Sequence, residues 1–254
     1  MKPIPLKPKK RGCLLIIMII IVVIVILGYF TYRYIFSPRV GRWGDYPTFI
    51  SDPSNFDEIM LKPGMHCGDA PFAFPTTGVI FGLWGESYGV TTTHTGLDIF
   101  SGTEPGITPI YAVYDGYLTR NDDWISTVII RIPNDPLDPT RQIWTYYTHM
   151  ADKEGNSFVS NEFPQGTYEA WVEAGTLLGY MGNYSGSPAN PTGLHLHFSI
   201  VKDDGTGKFM DETQFKNTYD PTPYFNLAVN QDINPNDFPI CEEEVLFEDW
   251  DIAD

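Results

Sequence analysis

The chain has 254 residues, 16 of them basic and 32 acidic, for a formal net charge of −16. That length accommodates one membrane segment and one medium-sized domain with its own core. Residues 1–42 hold half of the basic residues and no acid, so the remainder has no basic surface for nucleic-acid phosphates and suits a soluble domain kept dispersed by charge.

Residues 1–12 carry Lys2, Lys7, Lys9, Lys10 and Arg11. From Leu14 to Phe30 the text is almost wholly aliphatic, and Tyr32 to Phe36 extend it. About 20 such residues make a helix of roughly 30 Å, enough to cross a bilayer. A single-pass anchor is expected over residues 13–36. No small-x-small cleavage site follows, which favours an uncleaved anchor over a removed signal peptide. Basic residues crowd the N-terminal side, with Arg33, Arg39 and Arg42 at or beyond the other end. The positive-inside rule then puts the N-terminus in the cytoplasm and the large domain outside. Tyr29, Tyr32 and Tyr34 fit an interfacial belt. Cys13 precedes the apolar run, so it does not read as a lipoprotein cysteine.

Residues 37–71 are rich in Pro, Gly and Asp and read as a linker or loosely structured lead-in. His66 in this stretch reads as a surface histidine. Cys67 and Cys241 flank the main domain; they either pair in an oxidising compartment or remain two thiols, and spacing does not decide between them.

From Phe72 short β-branched and aromatic runs alternate with Gly, Pro and Asp turns. Expected strands are Gly78–Phe81, Leu97–Phe100, Pro109–Thr119, Ile125–Ile132, Gln142–His149, Thr176–Met181 and His195–Val201. No amphipathic helix of ordinary length is visible. The pattern is all-β, sandwich- or barrel-like, over residues 72–226. The connection from Asp152 to Ala170 is long and holds Phe158, Phe163 and Tyr168; aromatics there bind substrate or cover the core. Residues 227–254 read as a solvated tail, with Glu242, Glu243, Glu244, Glu248, Asp249, Asp251 and Asp254 after Cys241.

The chemistry gathers at two places. In Gly193–Ile200, strand alternation puts Leu196, Phe198 and Ile200 on one face and His195, His197 and Ser199 on the other. Two imidazoles on one strand face suggest a metal. His94 and Asp98, four apart around Gly96, share a face of an extended segment. Together with one histidine of the H-x-H pair they make a set of two imidazoles and one carboxylate with an open fourth position, which describes a catalytic zinc site. There is no cysteine cluster and no H-E-x-x-H helix, and calcium or magnesium would want more oxygen ligands. His149 ends a strand-like run at a turn and is the remaining histidine that proton transfer would use.

The order HTGLD, YTHM and GLHLHF resembles the lysostaphin-type (LytM-like, β-lytic) zinc metallopeptidase family. Phe74-Pro75, Phe81-Gly82, Ile110-Tyr111-Ala112, Ala174-Gly175 and Asp220-Pro221 with Tyr224-Phe225 extend the resemblance over roughly residues 72–225. The resemblance implies an antiparallel β-sheet core, duplicated-hybrid-like, with long loops walling a narrow groove. It implies one zinc per chain held by His94, Asp98 and His197, with His149 and His195 as the catalytic histidines. It implies peptidoglycan as the substrate, cut in its cross-bridges or stem peptides. Asn183, Tyr184, Phe163 and Tyr168 are candidates for the substrate groove. Two features depart from the pattern: Leu83-Trp84-Gly85-Glu86 stands where an arginine is often found, and the segment between His149 and Gly175 is long. The alternative is a catalytically silent member that binds and regulates other hydrolases; its usual mark is a broken ligand set, whereas all five residues are present here.

Overall fold

The structure, a computed structural model, describes residues 11–32, 41–89 and 91–250, and side chains within the first helix from Ile16 onward. The basic residues before Arg11, the expected end of the span with Tyr34 and Phe36, and Asp251 and Asp254 lie outside the described residues, as does the side chain of Cys13.

Helix α1 runs Arg11–Thr31, and its apolar side chains from Ile16 to Phe30 are exposed. Among the described residues no helix is long and apolar enough to cross a membrane, so the span expected over residues 13–36 is not supported as such. Helix α2 (Arg42–Ser51) and a 3-10 turn (Pro53–Ile59) follow. The strands are β1 (Met65–Cys67), β2 (Val79–Gly82), β3 (Leu97–Phe100), β4 (Pro109–Tyr111), β5 (Gly116–Thr119), β6 (Val128–Ile132), β7 (Ile143–Thr148), β8 (Ala170–Val172), β9 (Leu177–Tyr180), β10 (Leu196–Lys202) and β11 (Thr218–Tyr219). A single helical turn α3 (Thr222–Phe225) and strand β12 (Val245–Phe247) close the chain.

The fold is mostly β, and all the named strands pair antiparallel. The main sheet has the order β2-β3-β10-β7-β6-β5-β8, with β11 beside β10. Pairs β4-β9 and β1-β12 stand apart from it. The expected run Pro109–Thr119 divides into β4 and β5, which belong to different sheets. Strand β10 shows why the sheet sits as it does. Leu196, Phe198 and Ile200 are fully buried in the main core, with Leu97, Tyr147 and Phe225. The opposite face carries His197, Ser199 and Val201. Its far end is covered by Trp144 and Ile129, with Trp124 and Phe209 against them.

Both segments expected to be loose are built into the fold. In α2 the aromatic residues recur at helical spacing, Trp43, Tyr46 and Phe49, and they pack with Phe81, Phe100 and Phe238. Gly44 and Pro47, both inside the helix, hid that stripe in the sequence. In the tail, β12 pairs with β1 in register Met65↔Phe247 and Cys67↔Val245. Cys67 and Cys241 form a disulfide across a sequence separation of 174 residues, and Leu227 and Val229 join the core. Acidic composition described this tail's solvent side and not its buried one.

If α2 is part of the folded unit, Phe49→Ala lowers stability by about 3–5 kcal/mol, as for other buried phenylalanines, measured by urea unfolding of the domain. A change within about 0.5 kcal/mol, as at an exposed surface site, contradicts that placement.

Candidate metal centre

Register assembles the site. On β10, His197 lies opposite Asp98 of β3 on one side and Thr148 of β7 on the other. His94 comes from the turn before β3. Its backbone is pinned by two hydrogen bonds, Gly85 N–H to His94 C=O at 3.0 Å and His94 N–H to Glu86 C=O at 2.7 Å. Between them Gly96 passes so close to β10 that a Cβ would meet the Phe198 carbonyl. His149 directly follows β7, with φ of 72°, a left-handed conformation rare for non-glycine residues.

The three ligand candidates converge. His94 Nε2 lies 3.0 Å from Asp98 Oδ1 and 3.1 Å from His197 Nδ1, and His197 Nδ1 lies 2.9 Å from the same Asp98 oxygen. All three residues are buried. The outer nitrogens are engaged: His94 Nδ1 with Leu83 C=O at 2.9 Å, and His197 Nε2 with Glu212 Oε1 at 3.0 Å. With the ring proton on the outer nitrogen, given to Leu83 C=O or to Glu212, each neutral imidazole presents a lone pair at its inner nitrogen. Three acceptors then face one point, and only a proton or a cation satisfies them. Two imidazole nitrogens and one carboxylate oxygen, with outer nitrogens tied to oxygen acceptors, fit zinc.

The electrostatics carry the same message. Burial alone would raise the Asp98 carboxyl, but His94, His195 and His197 outweigh it and hold it well below the usual carboxylate range. Burial alone would lower His197, but Glu212 and Asp98 outweigh it and raise the ring to about 10. Burial likewise opposes ionisation of Glu212, yet the charge and hydrogen bond of His197 bring it down to about 2. In the metal-free site a proton on His197 therefore takes the place of the cation.

Beside the ligands stand the other two histidines. His149 donates Nδ1–H to Tyr184 C=O at 2.6 Å, and His195 donates Nδ1–H to Gly193 C=O at 2.8 Å. Their rings are 4.6 Å apart, and His195 Nε2 lies 3.4 Å from Asp98 Oδ1. Burial, with His195 and His197 nearby, lowers His149 to about 3, so this ring is neutral at pH 7. His195 stacks on Phe100, with centroids 4.8 Å apart.

Of the groove candidates, Tyr184 lines a cleft of about 420 Å3 with Thr95, Tyr146, His149, His197 and Glu212. Asn183 holds the turn instead: its N–H donates to Ala151 C=O, and its C=O accepts from Thr192. Phe163 is a correction, because it is buried in the main core and cannot touch substrate. Tyr168 is 81% exposed and lines a separate hollow with Arg131, Trp144 and Phe209. His66 bonds Glu248 and Ala70 and takes no part in the centre.

Two residues here escaped the sequence reading. Tyr88 donates its hydroxyl to Asp98 Oδ2 at 2.9 Å and lies over the His94 ring, centroids 4.9 Å apart. Glu212 arrives from the loop between β10 and β11. Neither sits at a spacing from the ligands that a strand or helix period would flag.

No family model matches the chain. No curated protein matches it. Among solved structures it is similar to a variant catalytic domain of the prophage-encoded M23 protein EnpA from Enterococcus faecalis, 22% identical over 61% of this chain and 97% of that one, with a TM-score of 0.36. It is similar to Csd3 from Helicobacter pylori, 19% identical over 66% of this chain and 33% of that one, with a TM-score of 0.37. It is similar to the antimicrobial peptidase lysostaphin from Staphylococcus simulans, 16% identical over 65% of this chain and 54% of that one, with a TM-score of 0.36. With scores this low these likenesses carry no argument, and the residues of the site must supply it.

Zinc binding requires a neutral His197, while the metal-free ring is protonated up to a pH of about 10. Zinc uptake at pH 7 therefore releases about one proton from this ring, and affinity rises with pH above neutrality. Calorimetry in two buffers of different protonation enthalpy reads the release; uptake without it contradicts a charged His197.

Proposed function

We propose that this chain is a membrane-anchored zinc metalloendopeptidase that cuts peptide bonds of bacterial cell-wall peptidoglycan. The observation that carries this reading is the convergence of His94 Nε2, Asp98 Oδ1 and His197 Nδ1 at an open cleft, with two non-ligand histidines beside them. The peptidoglycan assignment rests on the motif resemblance, and the retained ligand set speaks for an enzyme over a silent binding protein.

Bound at these three residues, zinc would polarise a peptide carbonyl and make water more acidic. The protein does the rest. Tyr88 holds one oxygen of Asp98 and leaves the other, Oδ1, toward the two imidazoles. Leu83 C=O and Glu212 keep His94 and His197 in the tautomers that present Nε2 and Nδ1. His149 and His195 each give Nδ1–H to a backbone carbonyl, which fixes both rings and leaves Nε2 of each for proton transfer. Neutral His149 accepts the proton of the attacking water at Nε2. His195, stacked on Phe100, offers its Nε2 lone pair as a hydrogen-bond acceptor to the water from the other side, and His149 returns the proton it took to the leaving amine.

Anchoring is part of the same proposal. Helix α1 exposes apolar side chains continuously from Ile16 to Phe30, more than a globular surface carries without a partner phase. The basic N-terminus supports a cytoplasmic position for that end under the positive-inside rule. The Cys67–Cys241 disulfide fits a domain on the oxidising side.

Incubation with a panel of purified peptidoglycans, with and without chelator, is expected to show cleavage that chelator abolishes and zinc restores. His197→Ala loses zinc and activity together. His149→Ala and His195→Ala keep zinc and lose roughly 10²–10⁴ in turnover. Full zinc loading with no cleavage of any preparation overturns the enzymatic reading. The full-length chain is expected to stay in the membrane fraction after alkaline washing, and removal of residues 1–36 to release it.

A further inference from the structure

Glu212 is not among the five residues that the motifs bring together. It nevertheless forms the only direct carboxylate contact to the outer nitrogen of a ligand histidine among the described residues. Its Oε1 accepts three hydrogen bonds: from Thr95 Oγ1 at 2.6 Å, Ser199 Oγ at 2.9 Å and His197 Nε2 at 3.0 Å. Its side chain is 13% exposed. The neighbouring backbone is anchored as well: Asp211 C=O accepts from Asn217 Nδ2 at 2.8 Å, and the Asp211 carboxylate accepts the Thr213 N–H and hydroxyl. The loop therefore delivers Glu212 to a fixed point at the Nε2 edge of the His197 ring.

The three donors have distinct origins. Thr95 lies beside His94 and Ser199 lies two residues along the strand from His197. One carboxylate oxygen thus ties both ligand-bearing segments to the loop after β10. A ligand histidine whose second N–H is held by a carboxylate has its tautomer and ring angle fixed and its basicity raised.

We propose that Glu212 is a positioning residue for the metal centre. It holds the His197 proton on Nε2, so that Nδ1 faces His94 and Asp98, and it locks the ring against rotation. The proposal rests on the zinc reading of the site. Thr95 and Ser199 act through it by fixing the Oε1 position. Glu212 also lines the cleft, so a substrate contact is the rival role that the test must separate.

The test measures zinc affinity of the wild-type chain, Glu212→Gln and Glu212→Ala by competition with a chromophoric chelator. Ring nitrogen-15 shifts of His197 are recorded in the zinc-loaded forms, and thermal unfolding of the metal-free forms reports folding. Glu212→Ala is expected to weaken zinc binding about 10–100-fold and to blur the single-tautomer signature of His197. Glu212→Gln keeps an oxygen acceptor without the charge, so it recovers part of both while staying measurably below wild-type affinity, and serves as the folded variant if the alanine form does not fold. Wild-type affinity and an unchanged His197 tautomer in either folded variant overturn the proposal. So does a variant with intact zinc affinity and a raised KM, which would make Glu212 a substrate contact. No zinc uptake by the wild-type chain would instead remove the metal reading on which the proposal stands.

Discussion

Three buried acceptors point at one another at the heart of this sheet, and the elements around them answer to that constraint. His94 Nε2, Asp98 Oδ1 and His197 Nδ1 lie within about hydrogen-bonding distance of each other, and two of them belong to strands paired in strict register. Buried acceptors without a donor are costly. The fold therefore carries a local conflict that a positive charge resolves, and the surrounding elements serve to keep that conflict from relaxing. A one-residue slip of β10 against β3 would turn His197 into the core and Phe198 toward Asp98. The apolar face of β10, fully buried at Leu196, Phe198 and Ile200, prevents the slip. Core packing and metal geometry are thus enforced by the same strand.

Support for His94 reaches back to α2, the helix nearest the N-terminal segment. Arg42 donates to Phe81 C=O at 3.1 Å and pairs with Glu86 at 3.3 Å, both deeply buried. Glu86 also accepts Leu83 N–H at 3.1 Å and Trp43 Nε1–H at 2.8 Å. Leu83 C=O in turn fixes the His94 tautomer. A buried ion pair is a poor source of net stability, but here it sets the position of a turn that holds a ligand. The same helix packs Trp43 and Tyr46 against Phe100, whose ring carries His195. A segment that composition marks as a linker is in physical terms the back wall of the centre.

Legibility in the sequence followed the range of the interaction. Alternation along GLHLHFSI and the four-residue step from His94 to Asp98 are local properties, and both appear in the structure as read. Strands Leu97–Phe100 and Gln142–His149 were legible for the same reason, to within one residue at each end. Helix α2 was not, because Pro47 and Gly44 speak against a helix locally while Trp43, Tyr46 and Phe49 gain their burial only from Phe81, Phe100 and Phe238, far along the chain. Strand β12 is exposed by side chain and ordered by backbone pairing with β1, which no hydrophobic pattern displays. Phe163 reads as a loop aromatic until the path of its loop turns it into the core. Glu212 and Tyr88 reach the centre through loop geometry, so their chemistry is visible in the sequence but their address is not.

Four imidazoles share this centre, and two of them, His197 and His149, would titrate almost alike in water. The protein separates them by what it places at their nitrogens. His197 stands between two carboxylates and is driven up to about 10. His149 is buried beside His195 and His197, with a backbone carbonyl at Nδ1, and falls to about 3. The first environment favours a positive charge and so suits a ligand, where the metal replaces the proton. The second keeps a ring neutral beside that charge, with its Nε2 free to take a proton. The left-handed backbone at His149 belongs to this arrangement, since an extended residue at the end of β7 would carry the ring on along the strand instead of turning it toward His195. Division between ligand and base thus follows from the neighbours each ring is given, with identical side chains in both roles.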